Sequence, residues 1–249
     1  MERRLARAKR GSNRRGRVRL VVARLKARET DRRKDWTEKA STDLARRFDG
    51  ISVDIALIHD PGDFMGQAAD EAYPALAELR AQGTVRAVGA GMNSPVPLAW
   101  LIERCDLDCV LVAGRYTLLD QSAAEVLFPL CLRRGVAVLA GAVFNSGILA
   151  GPDSGATYDY APALPAVLDR ARQMRDACAR YGVPLPAALQ FTLHHPAVTA
   201  VAVGARTATE VTTESFTSPV PYPTRSGLSW KRCYVITKGF GIAESGQAK

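Results

Sequence analysis

The sequence predicts an α/β fold in which repeated βα units build a parallel sheet. Three observations lead there. From about residue 51, short β-branched runs alternate with stretches of helical period, the pattern of strands joined by helical crossovers. At 249 residues the chain has the size of one large domain, and α/β barrels reach this length as a single unit. Its composition, 47% hydrophobic and 24% charged, suits a soluble globular protein, and no apolar run approaches the ~18 residues of a membrane span.

Five units are arranged in order. VDIALIH (53–59) is the first strand, and a helix near 74–82 succeeds it with Pro74 in its first turn. VRAVGA (85–90) is the second strand and leads into a helix over about 95–105. CVLVAG (109–114) is the third, and the Ser122/Glu125 spacing predicts a capping box for its helix, with Gly135 as the stop. VAVLAG (136–141) enters a loop that runs to about residue 163, and loops this long in compact domains are mostly functional. Val167, Ala171, Met174, Cys178 and Tyr181 recur at helical steps before Gly182 and Pro184, which predicts a helix with a core-facing stripe. A shorter helix at about 186–194 precedes the fifth strand (198–203).

The ends have a different character. Residues 1–50 hold 18 Lys and Arg against 7 Asp and Glu, so the formal charge of +9 belongs to the first fifth of the chain. This stretch is read as a basic, solvated extension (1–50), with nucleic acid not expected as a partner because aromatics are sparse and no recognition module succeeds it. RLVVARL (19–25) is a candidate extra strand, though its Arg residues suit a buried parallel sheet poorly. Residues 212–249 are read as an irregular tail, leaving 51–211 as the folded portion. Five cysteines without metal-ligand spacing predict free thiols and no metal site, and the absence of a secretory pattern after MERRLARAKR predicts a cytoplasmic location.

The most informative stretch is GVAVLAGAVFNSGILAG (135–151), where an apolar strand runs into a turn of Asn, Ser and Gly that offers small groups and backbone N–H to a phosphate. With it stand DIALIHDP (54–61), VGAGMNS (88–94), GRYTLLDQ (114–121), ATYDYAP (156–162) and AVAVGARTATEV (200–211). These six blocks, in this order, resemble the aldo/keto reductases. Their IHDP, GAGMN and FNSGILA spellings resemble the branch of aldose dehydrogenases of the D-threo-aldose or L-fucose type. The resemblance implies a partial (β/α)8 TIM barrel of which the five units are about strands four to eight. The roughly 50 preceding residues are too few for three more units of about 30 residues each. An incomplete barrel of this kind is expected to expose unpaired strand edges and to self-associate through them.

The resemblance also implies site residues. His59 matches the catalytic His that orients a substrate carbonyl, whereas without the family a His beside Asp60 reads as a strand end. The family's catalytic Tyr lies upstream of that His, but the first tyrosine here is Tyr73, and Lys26 does not match the family Lys motif. Asn93 or Met92 falls where the nicotinamide carboxamide is held, and Ala113 stands where a Gln often helps. Tyr116 is read equally as packing or binding. Asn145, Ser146, Gly147, Ile148 and Leu149 match the pyrophosphate loop, against the alternative of a tight turn. Gly204, Ala205 and Arg206 match the segment near the adenosine phosphate, where Arg206 would favour NADP over NAD; Glu210 is present but a later Asn is not. The expected activity is NAD(P)-dependent hydride transfer with an aldose or small carbonyl substrate, impaired by the missing Tyr. The alternative is a noncatalytic remnant that binds a nucleotide or a protein partner.

Overall fold

Strand pairing is strictly sequential through the first part of the chain. In a computed structural model, which describes residues 20–23, 53–153, 155–182, 185, 189–205, 232–237 and 240–244, the chain divides into two compact units. The first comprises Met1–Val112 and Ala123–Val138, the second Ala113–Ser122 and Leu139–Lys249.

In the first unit, β1 (Leu20–Ala23), β2 (Val53–His59), β3 (Val85–Met92) and β4 (Cys109–Ala113) lie side by side in that order. Each neighbouring pair is parallel, with Leu20 opposite Ile55, Ile55 opposite Ala87 and Gly89 opposite Cys109. The crossovers are α1 (Tyr73–Ala81), reached through a π-helical turn at Ala68–Ala72, and α2 (Pro95–Arg104). Both carry proline in the first turn, where its missing N–H is not needed. Strand β2 is buried along its length except for His59, which is half-buried.

The third helix signal is corrected in its detail. Helix α3 spans Leu127–Arg134 and begins after a 3₁₀ turn at Ser122–Ala124, with no side-chain cap. The Ser122 hydroxyl and amide both donate to Asp120 Oδ1, at 2.6 and 2.9 Å, so the expected capping box does not form. Gly135 ends α3 with φ +67°, as its spacing predicts.

In the second unit, β5 (Ala137–Gly141) is followed in the sheet by β8 (Val198–Ala205), β9 (Arg232–Thr237) and β10 (Phe240–Glu244). Strand β9 is parallel to β8, and β10 returns antiparallel to β9. The long loop contains a small hairpin, β6 (Thr157–Tyr158) and β7 (Ala161–Pro162), turning at Asp159 and Tyr160 with φ +49° and +66°. Helix α4 (Pro165–Arg180) packs Ala171, Val167, Met174 and Cys178 around buried Ile148, Leu149 and Leu185. Tyr181 departs from the predicted stripe: it caps the helix and is 83% exposed. Helix α5 is Leu189–His194.

The strand edges expected to stand open are paired: β1 covers β2, and β9 covers β8. Self-association through those edges therefore has no basis in this arrangement. The pairing of Leu20–Ala23 also gives RLVVARL its strand, and two stretches of 212–249, read as irregular, are strands β9 and β10. Among the described residues no helix is long and apolar enough to cross a membrane.

Gly89 sets the spacing of β3 and β4. A Cβ there would collide with the Cys109 carbonyl and sit 2.7 Å from Leu57 Cδ2 and 2.8 Å from Cys109 Sγ, closer than real Cβ contacts come. Neighbouring Cys109 is wholly buried, its thiol pushed up to about 12 by desolvation and the Asp108 charge. We expect Gly89→Ala to destabilise the chain by about 1–3 kcal/mol through overpacking, seen as a lowered denaturation midpoint; an unchanged midpoint would show that β4 can retreat.

Candidate active site

The two ends of the strands carry different chemistry. At the amino-terminal end of the first unit, buried Asp108 accepts from Arg80 at 2.5 Å and from the Val88 amide at 2.9 Å. Arg80 also donates to the Asp106 carbonyl at 3.0 Å. The Tyr73 hydroxyl donates to the Asp106 carbonyl at 3.3 Å and accepts its amide at 3.1 Å. Asp54 pairs with Arg86 at 3.4 Å. These groups tie α1 to the strand starts, a stabilising role typical of that end.

At the carboxyl end of the same unit, His59 closes β2 opposite Gly91 of β3. Asp60 then turns left-handed at φ +43° and donates its amide to the Gly91 carbonyl at 3.0 Å. The His59 side chain is 29% exposed, and its Nδ1 lies 3.1 Å from Asp60 Oδ2. That approach lacks hydrogen-bond alignment, so the buried Nδ1 has no partner of good geometry; the contact is an ion pair only when the ring is protonated. Of the two candidates after β3, Met92 is buried in the strand and Asn93 is exposed just beyond it. The fold thus sets His59 and Asn93 at the ends of adjacent strands.

In the second unit, Gly114 ends β4 at φ +68° and donates to the Gly141 carbonyl of β5 at 2.9 Å. Asn145 is 2% exposed and donates from Nδ2 to the Gly114 carbonyl at 3.1 Å, while its Oδ1 is buried without a partner. Asn145, Ser146 and Gly147 turn consecutively left-handed, at φ +44°, +60° and +101°. The amides of Asn145, Gly147, Ile148, Leu149, Ala150 and Gly151 all donate to carbonyls within this turn. Ile148 and Leu149 are in the core. Most of the segment's backbone donors are thus spent within the turn, and its exposed residues are Ser146, Gly147 and Ala150. The Ser146 hydroxyl accepts from the Tyr160 amide at 3.4 Å and its carbonyl from Thr157 Oγ1 at 3.2 Å, which seats the hairpin beside it.

Arg115 bridges the segment after β4 to the hairpin tip, with Asp120 at 3.2 Å and Asp159 at 2.7 Å. Tyr116 is packed: its ring stacks on Phe191 with centroids 5.2 Å apart and meets His195 edge-on at 5.0 Å. Burial raises the pKa of Tyr116, and burial with the Asp120 and Asp159 charges raises that of Tyr158, so both hydroxyls hold their protons firmly. Gly204, near the end of β8, is exposed with open space about it; Arg206, Glu210 and Lys26 lie outside the described residues. Among the described residues no cluster of three His, Cys, Asp or Glu could hold a metal. The Arg115 bridge was not foreseen, because Asp159 stands 44 residues away and no local spacing signals the pair.

Burial raises the Asp120 carboxyl, but hydrogen bonds from Ser122 and the charge and hydrogen bond of Arg115 outweigh it, so its pKa is lowered on folding. A lowered folded pKa gives stability that is full above the unfolded value of about 3.9 and is lost as pH falls through the folded value. In Asp120→Asn we expect the acid limb of the stability profile to flatten below about pH 4; an unchanged limb would remove Asp120 from that linkage.

Known proteins resemble this chain in sequence and in fold. The aldo/keto reductase family model matches residues 2–224, including the basic stretch before β2. Pyridoxal 4-dehydrogenase of Microbacterium luteolum is 36% identical over 189 residues, 71% of this chain and 55% of that protein. D-threo-aldose 1-dehydrogenase of Pseudomonas sp is 37% identical over 184 residues, 70% of this chain and 56% of that protein. The chain thus aligns with little more than half the length of these relatives. An aldo-keto reductase from Bacillus halodurans, in its holo form, superposes with a TM-score of 0.63 at 24% identity, covering 80% of this chain and 65% of that one. One from Klebsiella pneumoniae, in complex with NADP and acetate, shares the fold at a TM-score of 0.51 and 19% identity, covering 74% and 58%. With a parallel sheet, sequential βα units and a family match over most of its length, the chain belongs to the aldo/keto reductase family.

Proposed function

We propose that the chain binds NAD(P) and a small carbonyl compound, an aldose or an aldehyde, and that its own hydride-transfer turnover is weak. Bound nicotinamide supplies the hydride. The chain's residues have the other tasks, and the observation that carries the reading is His59 at the carboxyl end of β2, level with Gly91 and beside the Asn93 end of β3. A neutral His59 that keeps its proton on Nδ1, toward Asp60, presents Nε2 as an acceptor; the protonated ring donates from both nitrogens. Polarising a carbonyl oxygen needs a donor at Nε2, which the neutral ring offers when its proton is on Nε2 and the protonated ring offers as well.

Fit to a dinucleotide is uneven. The buried, unpaired Asn145 Oδ1 and the exposed Ser146 hydroxyl suit a polar ligand, while the spent amides of 145 and 147–151 suit a phosphate poorly. Arg206 supplies the phosphate grip in this reading and sets the preference for NADP. The substrate class rests on the relatives: one is named for an aldose, the other for pyridoxal. Cys105, Cys109, Cys131 and Cys178 are free thiols, in keeping with a reducing cytoplasm.

A second reading, a noncatalytic nucleotide- or partner-binding protein, is favoured by one observation. No tyrosine precedes Tyr73, and the Tyr73 hydroxyl is engaged by Asp106. Without a positioned acid–base, roughly 10²–10⁴-fold of rate is forgone.

Two measurements test these readings. Following NAD(P)H absorbance with an aldose, pyridoxal and a simple aldehyde, we expect turnover at or near background; robust turnover that vanishes in His59→Ala would show that another group has taken over proton transfer. In titrations with both cofactors, Arg206→Ala should weaken NADP binding and leave NAD binding unchanged. Equal NADP affinity in variant and parent would remove Arg206 from the site.

A further inference from the structure

We infer that Phe64 is a specificity-determining side chain for the carbonyl substrate, and that it selects a carbonyl carried on a flat aromatic ring over a polyhydroxy compound. The inference rests on the carbonyl-substrate reading above and narrows its substrate class. Phe64 is 52% exposed, although Pro61 of the same turn and most of β2 before it are buried. Other phenylalanines are packed: Phe128 is wholly buried, Phe144 lies against the core of Ile148 and Leu149, and Phe191 stacks on Tyr116.

The turn that carries Phe64 leaves His59 directly. Asp60 and Gly62 turn left-handed at φ +43° and +54°, and the Asp60 amide donates to the Gly91 carbonyl at 3.0 Å. At its far end the Phe64 amide donates to the Pro61 carbonyl at 2.8 Å, which closes the turn. Closure keeps the Cα atoms of Pro61 and Phe64 within ~7 Å of each other, and the two residues from His59 to Pro61 add at most about 7 Å more. The His59 and Phe64 side chains, with one ring between them, can span that distance. Because the turn is bonded at both ends, Phe64 is presented before a ligand arrives, and little ordering is left for binding to impose.

A phenyl face offers contact area and no hydrogen bond. A polyhydroxy compound set against it gives up water at each hydroxyl and regains nothing there. An aromatic ring instead sheds apolar surface and gains offset stacking. Val96 is a second exposed apolar residue at this end of the strands, at 64%. It shares a face of α2 with Trp100 and Arg104, whose guanidinium lies 3.9 Å over the Trp100 ring, opposite the buried Leu98, Leu101 and Ile102. Val96 therefore serves as the control for apolar surface as such.

The test is binding to the full chain with NADP present, read by ligand-detected NMR titration. Its probes are L-fucose and pyridoxine, a flat ring bearing a primary alcohol, which forms no imine with lysine. The unaltered chain should bind pyridoxine more tightly than L-fucose. Phe64→Ala should weaken pyridoxine roughly threefold to tenfold, the range of one aromatic pair, and leave L-fucose and the denaturation midpoint unchanged. Phe64→Tyr and Val96→Ser should match the parent. If Phe64→Ala does not fold, Phe64→Leu, which keeps an apolar side chain without the aromatic face, should also bind pyridoxine more weakly. Unchanged pyridoxine affinity in the Phe64 variants overturns the inference and leaves the carbonyl-substrate reading standing. So does tighter binding of L-fucose by the unaltered chain, or a loss in Val96→Ser as large as in Phe64→Ala. Binding of neither probe by the unaltered chain overturns the carbonyl-substrate reading itself, and the inference with it.

Discussion

The hydrogen bond from Asn145 to the Gly114 carbonyl governs the carboxyl end of the second unit. It joins the residue that ends β4 to the turn that leaves β5, reinforcing the backbone bond from the Gly114 amide to Gly141. Its geometry fixes which atom of the Asn145 amide is satisfied and which is stranded. It also fixes the left-handed course of the chain through Ser146 and Gly147, and so where the hairpin can rest. Downstream, Ile148 and Leu149 are delivered into the core beneath α4, which anchors the far side of the same turn.

Strand ends divide the labour of the fold. At the amino-terminal end the buried carboxylate of Asp108 is satisfied by a guanidinium and an amide, and the neighbouring Tyr73, Arg80 and Asp106 form a closed set of partners. At the carboxyl end the chain accepts positive φ at Asp60, Ala142, Asn145 and Ser146 and leaves two buried polar atoms, on His59 and Asn145, without aligned partners. Each departure costs on the order of 1–3 kcal/mol. Such costs persist only where packing elsewhere overrides them.

Local signals made most of the framework legible. Alternation of β-branched runs with helical period gave β2 to β5 and β8, proline placed the starts of α1 and α2, and Gly135 placed the end of α3. The failures share a physical cause, competition from partners that spacing cannot reveal. Ser122 has the right offset from Glu125 for a capping box, yet Asp120, two residues before it, takes both its donors. Tyr181 continues the apolar period but sits past the last turn of α4, where no core remains to receive it. The stretch at Leu20–Ala23 pairs with β2 despite flanking arginines, because a strand needs only four residues in register and the charges fall outside them. In the FNSGILA turn the residue types suggested free amides; the turn's own carbonyls claim most of them first.

The site residues were legible to different depths for a related reason. His59 is placed by strand periodicity and by the Asp-Pro pair directly after it, so its position at a strand end could be read directly, whereas the 3.1 Å approach of the Asp60 carboxylate to its Nδ1 is fixed only by the structure. Proton transfer raises the same issue more sharply. A residue type is not enough, since the hydroxyl must be unoccupied, within reach and able to exchange its proton. Tyr73 is held by backbone groups, Tyr116 is stacked with Phe191 and its pKa is raised, and Tyr158 is raised beside two carboxylates. Tyr73 is thus engaged, and Tyr116 and Tyr158 hold their protons firmly. Ligand binding and chemistry make separable demands: the first needs a shaped surface with a few unmet polar atoms, and the second needs a proton donor or acceptor tuned by its neighbours.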